Sequence, residues 1–224
     1  SPQIFLTAVA RETSRIRLGT AISLLPFENP LRKAEDFAML DILSNGRLNF
    51  GVGRGIIGKH FEGFCVDLAE SRARYEESLE IIRRAWTEDP FEYQGEFWQV
   101  PSLSLGPKPV QKPHPPIYRG TISKESFEGA GIVGDNALIV PWLTGPHPTV
   151  VKRVQRYRTL LEENGHGPKR TTCIFFLFTD PDHQVALREG QDITRASTQL
   201  FTSFIPPELL TKMSSGDPLK RFLD

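Results

Sequence analysis

Cysteine is nearly absent from this chain. Cys65 and Cys173 are the two present, too few for a disulfide framework, and they are expected as free thiols in a reducing compartment, the cytoplasm. A surplus of either charge is also missing. The 27 basic and 27 acidic side chains cancel, so there is no basic excess to attract nucleic acid and no acidic tail. No apolar run approaches the roughly eighteen residues of a membrane span. The opening SPQIFLTAVA lacks the basic region and apolar block of a signal peptide. No G-x-x-x-x-G-K-[ST] occurs, which excludes a P-loop. His60, His114, His147, His166 and His183 stand at no metal spacing from Cys, Asp or Glu, so a metal site is not expected. There is no initiating Met, and the chain opens inside an apparent helix with Ile4, Phe5, Ala8 and Val9 on one face. A piece of something longer is the expectation.

What is present is an alternation of apolar runs and amphipathic stretches over 224 residues, about one domain. Residues 15–25, RIRLGTAISLL, read as a buried strand. The next stretch, NPLRKAEDFAMLDILSNG, reads as a helix capped by Asn29, with Pro30 at its first position and Gly46 past its end. Leu31, Ala34, Ala38 and Ile42 supply its expected apolar stripe. Residues 47–53 form the next strand and a loop follows. Ser71 then opens a helix with Tyr75, Leu79, Ile82 and Trp86 on one face. FEYQGEFWQVP reads as a hairpin turning at Gly95, and GPKPVQKPHPP as a proline-rich surface connection. Strands are then expected at 116–122, 136–142 and 171–179. Helices are expected at 123–131, 148–164 (Val150, Val154, Tyr157 and Leu161 inward) and 182–204. The last twenty residues are polar, contain Pro and Gly, and are expected to be poorly ordered. Strand followed by helix, repeated five times, implies a parallel sheet: either an open doubly wound sheet or a stretch of a (β/α) barrel.

The segment GRLNFGVGRG, from Gly46 to Gly55, ends its strand in alternating glycines and an arginine. Gly53, Gly55 and Gly58 satisfy G-x-G-x-x-G. A dinucleotide fold needs a helix opening directly at those glycines and an acidic residue about twenty positions on; here the helix waits until Ser71. The alternatives are a tight strand-to-loop turn with Arg54 in a surface ion pair, or a backbone that approaches a ligand, with Arg54 meeting a phosphate.

The stretches TSRIRLGTAISLLPFENPLRKAEDFAMLDILSNGRLNFGVGRG, GFCVDLAESRARYEESLEIIRRAW, YQGEFWQVP and PKPVQKPHPPIY resemble the bacterial luciferase-like monooxygenase family. The likeness covers most of residues 3–145, in order and with the family's spacing. It implies an α/β fold, a luciferase-like (β/α)8 TIM barrel, incomplete here with about five β/α units, and residues 1–224 as one partial barrel domain. It also implies reduced FMN, often delivered by a separate flavin reductase, or a deazaflavin in its place. By position, Ala21 and Ile22 match a non-prolyl cis peptide behind the flavin ring. Gly53 matches a site where luciferase has a cysteine near the ring. Arg54 and Arg72 match arginines that reach the flavin phosphate. Ser123 and Ser126 match phosphate-contacting positions, and Trp142 matches an aromatic near the pocket. Ser123 independently reads as a helix cap after a strand, where free N–H groups suit phosphate.

The resemblance also implies gaps. The family's first strand and helix, its second strand with an acidic–histidine–histidine segment, and its closing strand and helix have no counterpart here. No general base is evident, so no catalytic residue is named. The expected function is a flavin-dependent monooxygenase that uses reduced FMN and O2 to oxygenate a small organic substrate. The alternatives are a deazaflavin-dependent dehydrogenase of the same family and a non-catalytic flavin-binding remnant. A homodimer is expected from the resemblance, with the helix at 30–43 as its candidate surface.

Overall fold

The computed structural model of the chain describes residues 1–205. Of the last twenty residues only Ile205 is described, and it is buried; the expectation of poor order there otherwise lies outside the described residues. The chain divides into two compact units, Ser1–Gly55 with His60–Gly120, and Ile56–Lys59 with the chain from Thr121 onward.

The first unit opens with α1 (Pro2–Glu12). Its expected apolar face is met only in part: Val9 packs on the core with Leu6 and the buried Ala10, while Ile4 and Phe5 are exposed. Arg47 secures the end of this helix by donating to the carbonyls of Ala10 and Thr13, at 2.9 and 2.8 Å, where a cation also suits the helix dipole. The single strand expected at 15–25 is instead two short ones, β1 (Leu18–Gly19) and β2 (Ser23–Leu24), followed by a 3-10 turn over Leu25–Phe27. The backbone between them kinks at a cis peptide, Ala21–Ile22.

Next comes α2 (Pro30–Leu43), capped by Asn29, whose side chain accepts from the amides of Leu31 and Arg32. Its buried side is Lys33, Ala34, Phe37, Ala38, Leu40 and Asp41, while Ile42 is exposed. Of the expected stripe, Ala34 and Ala38 are buried and Leu31 packs on the core, and Ile42 alone turns outward. Lys33 and Asp41 are tolerated inside because Lys33 meets Glu28 at 2.6 Å and Asp41 accepts from the backbone and side chain of Gln111 at 3.0 and 2.7 Å. A periodicity count on apolar residues alone misses both.

The central strand is β3 (Leu48–Gly53). The loop expected after it contains a short helix, α3 (Gly58–Gly63), before α4 (Ser71–Thr87). Tyr75, Leu79, Ile82 and Trp86 of α4 are all buried, as the spacing predicts. Phe50 of β3 lies between Phe37 and Trp86, tilted to the first and edge-on to the second, at ring distances of 4.5 and 5.1 Å, and Trp86 donates its indole N–H to Ala34 O at 2.9 Å. Strand, α2 and α4 thus share one apolar core. The hairpin β4 (Phe91–Gln94) and β5 (Gln99–Leu103) turns at Gly95 and is tied to α4 through Glu77, which accepts from the Phe97 amide at 2.9 Å. The proline-rich connection carries no regular structure, yet it is anchored: Lys108 donates to Ala85 O and Glu88 O, both at 2.7 Å. Then β6 (Ile117–Thr121) leads out of the unit. The ladders β1–β3, β2–β3 and β3–β6 are all parallel.

The second unit repeats the alternation. α5 (Lys124–Val133) is followed by β7 (Asn136–Ile139), a short α6 (Pro141–Thr144), α7 (His147–Glu163), β8 (Thr171–Cys173) and α8 (His183–Ser203). Phe127, Ala130, Ala137, Ile139, Tyr157 and Leu161 form its core, with Val150 and Val154 packed on it. β7 and β8 pair in parallel. Two expectations are corrected here. The strand at 136–142 stops at Ile139 because Pro141 starts α6. The strand at 171–179 keeps its ladder only to Cys173.

Candidate functional site

The glycines of β3 answer first to the chain itself. A Cβ on Gly51 would lie 1.7 Å from Thr20 O, and one on Gly53 would lie 1.9 Å from Ile22 Cδ1. At Gly51 only glycine lets the backbone of Thr20 run so close to β3, whereas at Gly53 the near atom is the movable end of the Ile22 side chain. Ile22, on the far side of the cis bond, also sits 3.4 Å from where a Cβ of Gly120 would be. The ends of β2, β3 and β6 therefore converge on Ile22. Ser23, the next residue, is buried and its hydroxyl finds no partner among the described residues. A buried hydroxyl without a hydrogen bond is unusual, and sequence reasoning passed it over inside an apolar run.

Immediately beyond Gly53 stands Arg54, half-buried. Burial lowers its guanidinium pKa from the ordinary arginine value, and the charge of Arg72 lowers it further. Arg72 lies in the first turn of α4 and is exposed. Neither arginine has a hydrogen-bond or ion-pair partner among the described residues. The neighbouring Arg74 differs: it pairs with Glu70 at 2.9 Å and lies over the Phe97 ring at 4.3 Å. Two like charges, one of them partly desolvated, make a place where an anion is favoured.

In the second unit Ser123 caps α5, its hydroxyl accepting from the Ser126 amide at 3.4 Å. Ser126 spends its own hydroxyl locally, donating to Ser123 O at 2.7 Å and accepting from the Ile122 amide at 3.0 Å. This leaves the proton of Ser123 as the hydroxyl donor of that turn. Arg153 of α7 donates to the carbonyls of Ile122 and Thr144, which brings the loop after β6 and the turn after β7 together. Trp142 lies in that second turn, in α6 and not on a strand end, with its ring 5.6 Å from Phe176. It forms one wall of an open apolar cleft of about 840 Å³, shared with Phe175, Phe178 and Ile193. No three His, Cys, Asp or Glu side chains gather into a metal cluster among the described residues.

The sequence did not reveal Glu76, Arg119 or Arg153. Its one hint was a lone arginine inside the apolar strand IYRGT, which must find a counter-charge.

Parallel ladders β1–β3, β2–β3, β3–β6 and β7–β8, with helices between the strands of β3, β6, β7 and β8, define an α/β class of barrel type. The chain belongs to the luciferase-like monooxygenase family, whose model matches residues 1–210. It is 35% identical over 143 residues to the oxygenase component of a flavin-dependent trigonelline monooxygenase from Acinetobacter baylyi, covering 63% of this chain and 39% of that protein. The crystal structure of monooxygenase RslO1 from Streptomyces bottropensis superposes with a TM-score of 0.86 at 31% identity, over 92% of this chain and 63% of that one. The oxygenating constituent of 3,6-diketocamphane monooxygenase from Pseudomonas putida, in complex with FMN, matches at 20% identity and a TM-score of 0.72, over 86% of this chain and 57% of that one, and shows the fold alone. The fold is thus a luciferase-like (β/α) barrel, present in part. The chain spans well under half the length of the curated relative.

Proposed function

We propose that this chain carries the flavin-binding part of an oxygenase that uses reduced FMN and O2 to oxygenate a small organic substrate. The observation that supports it most is the Arg54–Arg72 pair, two arginines whose charges repel and which have no acidic partner among the described residues. A phosphate monoester is the ligand group that such a pair suits. In this reading Arg54 and Arg72 hold the FMN phosphate, and Ala21, Ile22 and Gly53 form the backbone edge beneath the ring. Ser123 is proposed as a further phosphate donor, Ser126 as the residue that shapes its turn, and Trp142 as a wall of the substrate pocket. When bound, reduced FMN supplies the electrons with which one oxygen atom enters the substrate and the other leaves as water. The chain's own part is to bind, orient and shield.

A separate flavin reductase is proposed as partner, since the Acinetobacter relative is an oxygenase component. A second copy of the chain is also proposed, across Met39, Ile42 and Leu43, which α2 leaves exposed. Residues 1–224 are taken as one partial barrel domain. The cytoplasm is the proposed compartment, consistent with two exposed free thiols. No described helix is long and apolar enough to cross a membrane.

Oxygen uptake tests the reading. The purified chain with reductase-supplied FMN should consume O2 in a substrate-dependent way. A deazaflavin dehydrogenase would reduce or oxidise its substrate without O2, and a remnant would bind flavin without turnover; either result refutes the monooxygenase reading.

A further inference from the structure

Arg72 and Glu76 stand four residues apart on α4, the spacing at which helices pair arginine with glutamate. The pairing occurs elsewhere on this helix and at its start, in Arg84–Glu88 and Arg74–Glu70, both at 2.9 Å. It does not occur here. Both carboxylate oxygens of Glu76 accept instead from Arg119 of β6, at 3.0 and 2.9 Å. The Arg119 side chain is 7% exposed and that of Glu76 48%, so the arginine is the buried member and the one that most needs a counter-charge. Its planar fork also matches a carboxylate with two parallel hydrogen bonds, which a flexible, solvated pair at i,i+4 does not rival. The strand register sets Arg119 opposite Val52, two residues before Arg54. Its guanidinium also lies 5.5 Å from the Tyr75 ring of α4.

We propose that Arg119 is a positioning residue: by holding both oxygens of Glu76 it keeps Glu76 off Arg72, so that the Arg72 guanidinium stays available to the phosphate of the flavin. The inference rests on the flavin reading above. Without Arg119, Glu76 turns to its natural helix partner, and half of the anion-receptive pair is neutralised.

The test uses Arg119→Met and Arg119→Met/Glu76→Gln. FMN and riboflavin affinities are read from flavin fluorescence, because riboflavin lacks the phosphate. Arg119→Met should weaken FMN binding severalfold and leave riboflavin unchanged, and adding Glu76→Gln should restore FMN affinity. A merely structural role predicts equal loss for both flavins with no restoration. A second readout needs no flavin. Unfolding of Arg72→Ala, Glu76→Gln and the double variant should show no coupling with Arg119 in place, and coupling once Arg119 is Met. No coupling in the Met background, or an FMN loss that Glu76→Gln does not reverse, overturns the inference. Should the wild-type chain fail to prefer FMN over riboflavin, the flavin reading falls, and the coupling cycle alone decides whether Arg119 restrains Glu76.

Discussion

Arg54 and Arg72 bear on one another as like charges, and neither is balanced by an acidic side chain among the described residues. The two come from different elements, the end of β3 and the first turn of α4. If they serve a phosphate, Arg54→Ala and Arg72→Ala should each weaken FMN binding severalfold while riboflavin affinity holds. Equal effects on both flavins would remove the pair from the phosphate site.

Gly51 and Gly53 should respond differently to alanine. At Gly51 the new methyl meets a backbone carbonyl, Thr20 O at 1.7 Å, which cannot swing away. Overpacking of this kind costs about 3 kcal/mol or more. At Gly53 the obstacle is the Cδ1 end of Ile22, at 1.9 Å, which can rotate at about 1 kcal/mol. Denaturant unfolding should therefore rank Gly51→Ala well below Gly53→Ala in stability. Only Gly53→Ala should remain folded enough to test for altered flavin binding.

Tyr157 sets an alkaline limit on the second unit. Its hydroxyl donates to Asp135 O at 2.7 Å inside the core. Burial first, and the Asp135 charge second, push its pKa above the ordinary tyrosine value. The folded state thus keeps the proton that the unfolded chain releases above pH about 10. This contribution to stability is complete below that pH and is lost as pH rises beyond it. Tyr157→Phe should cost about 1 kcal/mol at neutral pH and should flatten the decline above pH 10. An equally steep decline in the variant would assign the alkaline loss elsewhere.

The exposed side of α2 offers a check on self-association. Met39→Asp introduces a charge at a position that is 48% exposed, so the folded monomer should be unaffected. Sedimentation should show the variant monomeric at concentrations where the wild type is dimeric. A wild type that is monomeric throughout would refute this surface.

Much of the fold was legible because strand and helix periods alternate cleanly. The α4 stripe, the Asn29 cap and the Ser123 cap all follow from local rules about helix faces and ends. The local rules failed where tertiary partners intervene. Lys33 and Asp41 face inward because Glu28 and Gln111 satisfy them, and no apolar pattern contains that information. Residues 15–25 read as one strand, since a kink at Ala21–Ile22 leaves no mark on hydropathy. At the site, Arg54, Arg72 and Ser123 could be named from a resemblance. Glu76 and Arg119 could not, because their pairing joins residues 43 positions apart and is set by strand register. The glycines were expected to open the backbone to a ligand. Gly51 and Gly53 serve first to admit Thr20 and Ile22.

The most direct test of a phosphate-bearing flavin on this chain is a fluorescence titration with FMN and with riboflavin, each at low and at high inorganic phosphate. FMN should bind more tightly than riboflavin, and inorganic phosphate should abolish the difference. Equal affinities that phosphate does not change would contradict it.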